Sequence, residues 1–367
     1  MKIILLTSSL DLGGTERVVA SLCNAWAERG DNVTLILTFS GGRKQFYQIS
    51  DGAELIYLAD IVGIKNMNIL TYVERLYALR RLMTARAADV IVSFLPNVNV
   101  ATILSSAFLR TPLIICERSD PAGYARFHLL EVLRKQTYRF ADMLTVQTQG
   151  LADRAKYLYP GLKTICAIPN ALPAAIASYR KTAGNQRKTL LSLGRLVSAK
   201  QIDKLLDAFS RIASSFTDWD LHIYGDGPAM PALEMQISKA GLHTRAFLRG
   251  PTTSPWEVMA CADAFVMVSR YEGFPNALLE AMGIGLPCVV FDCPSGPREI
   301  TRDGKDALLV PLNDDEALVA ALQKLMSDET LRLALGRQAR ESVRSRFSHA
   351  QVMERWDQLF RQVGAIQ

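Results

Sequence analysis

Ser269-Arg270-Tyr271-Glu272-Gly273-Phe274-Pro275-Asn276-Ala277-Leu278-Leu279-Glu280 follows directly on an apolar run, Ala264 to Val268, that reads as a buried parallel strand. The strand ends and a helix begins here. Gly273 permits a tight turn or a close backbone approach, Pro275 presets a first helical turn, and Ala277 to Met282 continues as good helix former. A strand, a Gly/Pro turn and a helix start at the carboxyl edge of a sheet form an anion site, because free N–H groups and the helix dipole point the same way. The acids at either end, Glu272 in the turn and Glu280 inside the helix, then suit hydroxyl groups flanking a phosphate.

Outward from this stretch the chain repeats the same grammar. Apolar runs at Lys2–Thr7, Val33–Phe39, Glu54–Tyr57, Val90–Phe94, Leu113–Glu117, Met143–Gln147 and Thr164–Ile168 alternate with helix-like segments. Such alternation predicts an α/β fold with doubly wound parallel sheets. An Ala-, Ser-, Lys- and Gly-rich stretch breaks the pattern and reads as a linker over 176–187, leaving a first domain at 1–175. Lys188 to Leu193 opens a second sheet, whose domain spans 188–347. Residues 348–367 close the chain as a helix.

Three further turns carry polar chemistry. Leu10-Asp11-Leu12-Gly13-Gly14-Thr15-Glu16-Arg17 follows the first strand, and its paired glycines let main-chain N–H groups approach a phosphate or sugar. It is not the GxGxxG of a dinucleotide fold, which argues against NAD. Gly194-Arg195-Leu196-Val197-Ser198-Ala199-Lys200 brings two cations to one helix start, suited to a diphosphate. His222-Ile223-Tyr224-Gly225-Asp226-Gly227-Pro228 reads as another strand with a Gly-rich turn that shapes the site. Cys116-Glu117-Arg118-Ser119 places charged groups at the end of a strand in the first half, where either ligand contact or an Arg–Glu structural pair would account for them.

The Glu-x7-Glu spacing in its EGFPNALLEAM context, with Gly283-Ile284-Gly285-Leu286-Pro287 after it, resembles the retaining GT-B glycosyltransferases of family 4. The resemblance implies two Rossmann-like domains facing a central cleft, the first binding acceptor and the second a nucleotide sugar, with the final helix crossing back to the first domain. It implies that Glu272, Arg195 and Lys200 are catalytic, Glu272 holding hydroxyls of the transferred sugar, and that Glu280 holds the ribose. Gly13, Gly14, Gly273, Phe274, Pro275, Asn276 and Ala277 complete the implied donor contacts, with Thr15, Glu16, Glu117 and Arg118 on the acceptor or donor-sugar side. Many family members carry a His where this chain has Glu117-Arg118, and Cys293-Pro294-Ser295-Gly296-Pro297-Arg298 is similar to transferases that build lipid-linked oligosaccharides.

The function so implied is transfer of a hexose or N-acetylhexosamine from a UDP-sugar to a lipid-linked or lipopolysaccharide-type acceptor in bacterial surface-polysaccharide synthesis. A GDP-mannose-dependent transferase, a nucleotide-sugar 2-epimerase and a catalytically silent sugar- or lipid-binding partner are the alternatives. The epimerase lacks an identifiable acid/base set, and a silent partner would be expected to lose Glu272, Arg195 or Lys200. Neither a metal nor another cofactor is expected.

Composition bounds the setting. The chain has 367 residues and a net charge of +6, with the basic surplus concentrated in the first half. That imbalance suggests an anionic partner there, and an anionic inner-membrane surface is preferred to nucleic acid. Tyr72, Leu76, Leu79 and Met83 form an apolar stripe flanked by Arg75, Arg80 and Arg86, a pattern that fits an interfacial helix or an ordinary packed one. Tyr124 to Phe140, with Arg134 and Lys135 among its leucines, reads the same two ways. No apolar run reaches membrane-spanning length, and the expected location is cytoplasmic, peripheral on the plasma membrane. The six cysteines lack any Cys-x-x-Cys pair and are expected as free thiols.

Overall fold

The computed structural model describes residues 1–11, 13–39, 45–63, 68–118, 128–180 and 187–366. The chain divides into two compact units, Met1–Asn170 with Met353–Gln367, and Ala171–Val352. Each is built on one parallel sheet.

The first unit's strands are β1 (Lys2–Thr7), β2 (Asn32–Leu37), β3 (Ala53–Tyr57), β4 (Val90–Phe94), β5 (Leu113–Cys116), β6 (Met143–Val146) and β7 (Ile165–Ala167). They lie in the order β3-β2-β1-β4-β5-β6-β7. β4, β5 and β6 are buried along their whole length, which is why they read as unbroken apolar runs. Because β1 pairs with both β2 and β4, the chain direction across the sheet reverses there, and the turn after β1 opens at a topological switch point.

Helix Ile69–Arg86 is started by a capping box: the Asn68 side chain accepts from Thr71 N at 2.9 Å, and the Thr71 hydroxyl accepts from Asn68 N at 2.9 Å. Its Leu79 and Met83 are buried in the core beside the sheet. The last segment also belongs to this unit: Trp356 stands edge-on to Trp26 at 5.6 Å, Phe360 packs on Trp26 at 5.4 Å, and Arg29 bonds Asp357 at 2.6 Å. The aromatic group buries large apolar area, so the closing helix is held mainly by the hydrophobic effect.

The second unit contains β8 (Lys188–Leu193), β9 (Trp219–Tyr224), β10 (Ala246–Leu248), β11 (Ala264–Met267), β12 (Cys288–Phe291) and β13 (Leu308–Val310), ordered β10-β9-β8-β11-β12-β13. Its switch point falls between β8 and β11, which pair directly. Helix Ile202–Ile212 buries Ile202, Leu205, Leu206, Phe209 and Ile212, a 3.6-residue apolar stripe laid on the sheet.

The units meet in sequence at Asn170/Ala171 rather than after residue 175. Leu172 and Ile176 explain the difference. Both are buried in the second unit's core, Leu172 N donates to Phe347 O at 2.7 Å, and both side chains pack against Gly283. Part of the sequence expected as linker, residues 181–186, lies outside the described residues.

Candidate active site

The carboxyl edge of the second sheet gathers the polar turns. Gly194 N donates to Tyr224 O at 3.0 Å, and Leu196 N to Asp226 O at 2.8 Å, so the turn after β8 is laced to the turn after β9. The contact is backbone on backbone: a Cβ at Gly225 would stand 1.9 Å from Gly194 O, and Gly225 has φ +147°. Only glycine fits there. Further along, Arg270 N donates to Ala199 O at 2.8 Å, tying the turn after β8 to the turn after β11.

Across the switch point Lys200 Nζ donates to Glu272 Oε1 at 2.5 Å. The pair is mostly buried, with side-chain exposures of 24% and 12%. Arg195, by contrast, is exposed, and its guanidinium has no hydrogen-bond or acidic partner among the described residues. One free cation and one cation held by a carboxylate thus stand on the turn between β8 and the next helix. Such an edge can take an anion at Arg195 and, if Glu272 turns away, at Lys200.

Helix Asn276–Ile284 begins directly after Pro275, which occupies its cap position. Asn276 and Ala277 form its partly exposed start. Glu280 is only 3% exposed, and its Oε2 accepts from Trp256 Nε1 at 2.9 Å, which fixes the carboxylate's orientation. Trp256 has no signature of this role in the sequence, because the bond joins elements whose approach depends on tertiary packing. The Phe274 ring is buried and stands 6.0 Å from Phe347, so this side chain belongs to the core and a donor contact at Phe274 would fall to its backbone. Pro275 is likewise buried.

In the first unit Gly13 caps helix Gly14–Glu28. Tyr47 donates its hydroxyl to Gly13 O at 2.9 Å. Glu16 folds back over the cap, where a Cβ on Gly13 would lie 2.1 Å from its Oε2. Burial pushes the Glu16 carboxyl above the usual range, and the nearby Asp11 charge adds to the rise, while a backbone N–H bond opposes it. Thr15 lies beside it in the first turn, half-buried.

Glu117 and Arg118 have separate fates. Glu117 is fully buried and pairs with Arg134, not with its neighbour: Arg134 Nη2 reaches its two oxygens at 2.7 and 2.8 Å, and the Tyr138 hydroxyl donates to it at 2.7 Å. Burial pushes the Glu117 carboxyl up, and Arg134 and Tyr138 oppose that shift. Three hydrogen bonds to one carboxylate favour the ionised pair. Glu117 therefore serves as the counterion of a buried arginine and is withdrawn from the ligand-facing set. Arg118 is also buried, bonded by Nη1 to Asn170 Oδ1 at 3.1 Å and stacked 5.0 Å from the Phe94 ring. Its Nε and Nη2 find no hydrogen-bond partner among the described residues.

The arginines assigned from sequence to a membrane face are engaged by the protein itself. Arg134 is 0% exposed. Arg80 donates to Ser105 O and Ala107 O, Arg86 grips Glu54 at 2.6 Å, and Arg75 lies 5.6 Å over Phe39. The apolar stripe of helix Ile69–Arg86 faces the core, so this pattern is that of a packed helix. Lys135 remains exposed, next to exposed Arg139, Phe140 and Tyr157. Residues 119–127, the start of the second candidate segment, lie outside the described residues. Among the described residues no group of three or more His, Cys, Asp or Glu side chains is placed to hold a metal, and no helix is long and apolar enough to cross a membrane.

Residues 178–342 match the family model described as glycosyl transferases group 1, and residues 13–171 match the glycosyl transferase 4-like domain. The chain is 31% identical, over 98% of its length, to an exopolysaccharide phosphotransferase of Streptomyces coelicolor, but spans only 40% of that protein. It is 26% identical to an α-1,4-N-acetyl-D-galactosaminyltransferase of Campylobacter jejuni named for an undecaprenol-linked saccharide acceptor, each chain being covered to 99%. Among solved structures, HepE of Anabaena in complex with UDP and glucose superimposes with a TM-score of 0.79 at 17% identity, covering 99% of this chain and 100% of that one. That likeness is one of fold.

Proposed function

Because the chain is a GT-B glycosyltransferase that joins a 4-like domain to a group 1 domain, we propose that it moves a hexose or N-acetylhexosamine from a UDP-sugar to a hydroxyl of a lipid-linked saccharide, with retention at the anomeric carbon. The observation that carries this reading is the meeting of Lys200 and Glu272 across the switch point of the second sheet, with Arg195 on the same turn as Lys200. Open α/β sheets bind ligands at such points. The undecaprenol-linked acceptor in the name of the Campylobacter relative, and the UDP bound by HepE of Anabaena, support the choice of acceptor and donor. Assembly of a bacterial surface polysaccharide is the corresponding process.

In the proposed reaction the acceptor oxygen attacks the anomeric carbon as the bond from that carbon to the β-phosphate oxygen breaks. The acceptor's proton passes to the departing phosphate on the same face. Negative charge grows on the diphosphate, and Arg195 and Lys200 stabilise it there without reorganising at the moment of reaction. Glu272, released from Lys200 by the incoming phosphate, accepts from hydroxyls of the transferred sugar. Glu280, held by Trp256, accepts from the ribose. In the second unit the backbone of Gly273, Asn276 and Ala277 supplies the remaining donor contacts; of the first unit's residues, Gly13 and Gly14 are assigned to donor binding, and Thr15, Glu16 and Arg118 to the acceptor or donor sugar.

The test is a panel of UDP-, GDP- and ADP-sugars followed by thermal shift and by transfer to an undecaprenyl-diphosphate saccharide. Stabilisation and transfer with UDP-sugars are expected. Selective response to GDP-mannose would replace the donor, and no response to any of them would overturn the reading.

Such an acceptor requires a location at the inner face of the plasma membrane, and the basic surface of the first unit fits one. Lys135, Arg139, Phe140 and Tyr157 are all exposed, Tyr157 to 86%, and Lys135, Arg139 and Tyr157 line a surface cavity of about 510 Å³. Each cation near an anionic leaflet contributes about 1 kcal/mol, so Lys135→Gln with Arg139→Gln is expected to weaken binding to phosphatidylglycerol vesicles by roughly 30-fold. Neutralising Arg75, Arg80 and Arg86 instead should leave vesicle binding intact. Co-sedimentation checks both, and the reverse pattern would return the membrane face to helix Ile69–Arg86.

A further inference from the structure

Ser295 follows β12 at the mouth of the site, and its backbone is in the left-handed region at φ +67°. A residue with a Cβ adopts that conformation at a cost and keeps it only where its surroundings hold it there. What holds it is the turn that carries Glu272. The Ser295 hydroxyl lies 3.0 Å from Glu272 O and 2.8 Å from Gly273 O, so its one hydrogen is shared between two consecutive carbonyls. The next residue presses on the same turn: Gly296 has φ +103°, and a Cβ there would stand 2.4 Å from Pro275 Cδ and 3.7 Å from Phe274 Cα. Residues 295 and 296 therefore grip the segment from Glu272 to Pro275 from the β12 side, while Lys200 holds the Glu272 carboxylate from the β8 side.

We propose that Ser295 is a positioning residue: it fixes the peptide planes on either side of Gly273, and so sets the direction in which the Glu272 carboxylate leaves the turn. The inference rests on the proposed transferase reading for its kinetic consequence, but not for its geometry. With the hydroxyl gone, the turn gains rotational freedom, and Glu272 spends less time aimed at the sugar. Binding of the diphosphate, which uses Arg195 and Lys200, is unaffected.

Two variants separate positioning from packing. Ser295→Ala removes the hydroxyl and retains the left-handed strain, whereas Ser295→Gly removes the hydroxyl and relieves it. A hydrogen bond of this kind corresponds to a change of about 2- to 12-fold, and both variants are expected to lose kcat within that range while keeping the affinity for UDP. Their melting temperatures should nevertheless differ, Gly above Ala. In a Glu272→Gln background Ser295→Ala should cause no further loss. Kinetic losses that follow the melting temperatures, or that multiply with Glu272→Gln, would overturn the assignment. Hydrogen exchange of the Glu272, Gly273, Phe274 and Asn276 amides in the unliganded chain supplies a reading independent of turnover. Faster exchange in both variants supports the grip, and unchanged exchange refutes it. If the unsubstituted chain transfers no sugar, the transferase reading fails on its own, and the exchange result still decides the geometry.

Discussion

Glu272→Gln lowers turnover by about 10²–10³-fold, the usual loss when a group that acts on the transition state is removed, and at the same time tightens the binding of free UDP. The two effects have opposite signs because Glu272 has two partners. In the unliganded chain its Oε1 holds Lys200 Nζ at 2.5 Å. A diphosphate must displace that carboxylate before it can use the lysine. The amide of glutamine keeps the shape and removes the charge, so the lysine is released. Ion pairs near a surface are worth up to about 1 kcal/mol, which predicts a gain of about 2- to 5-fold in UDP affinity. The same amide cannot accept from sugar hydroxyls as strongly as a carboxylate, so turnover falls. Steady-state kinetics and calorimetry of the one variant check both halves. Near-normal turnover would remove Glu272 from the catalytic set, and weaker UDP binding would show that the pair with Lys200 does not compete with phosphate.

Arg134→Met should destabilise the first unit by about 3–5 kcal/mol, because it leaves the Glu117 carboxylate buried without its counterion. Both side chains are 0% exposed. For a unit of this size that loss corresponds to a fall of roughly 6–20 °C in its melting temperature. Removing Glu117 as well, as Glu117→Leu with Arg134→Met, takes out both charges and should recover much of the stability. Differential scanning calorimetry of the two variants tests the cycle. Equal melting temperatures for the single variant and the unsubstituted chain would mean that the pair is not a structural element, and would return Glu117 to ligand contact and Arg134 to membrane contact.

These two residues also mark where sequence reading stops. The strands of both central sheets were legible because burial on two faces leaves an unbroken apolar run, as in Val90–Phe94 and Ala264–Val268. The edge strands β10 and β13 were not identified. Each is three residues long and partly exposed, and neither leaves a run long enough to see. The turns at the carboxyl edges were legible from glycines and charges after a strand, and Arg195, Lys200 and Glu272 do share one edge. Their pairing was not, since a bond such as Lys200 to Glu272 or Trp256 to Glu280 depends on how separate turns approach. Helix Ile69–Arg86 shows a second limit. Its stripe of Leu76, Leu79 and Met83 was read correctly as one apolar face, but periodicity does not distinguish a face turned to the sheet from one turned to a bilayer. The burial of Leu79 and Met83, with Leu76 packed beside them, shows that this stripe is turned to the core.

In the proposed reaction the turn between β8 and the following helix holds the diphosphate of a nucleotide sugar. Calorimetric titration of UDP into the full chain and into an Arg195→Met, Lys200→Met variant tests it most directly. One site per chain is predicted for the unsubstituted protein. Loss of two charge-assisted contacts should weaken that site by at least about 100-fold in the variant. Equal affinity in the two proteins, or no binding of UDP to the unsubstituted chain, would contradict it.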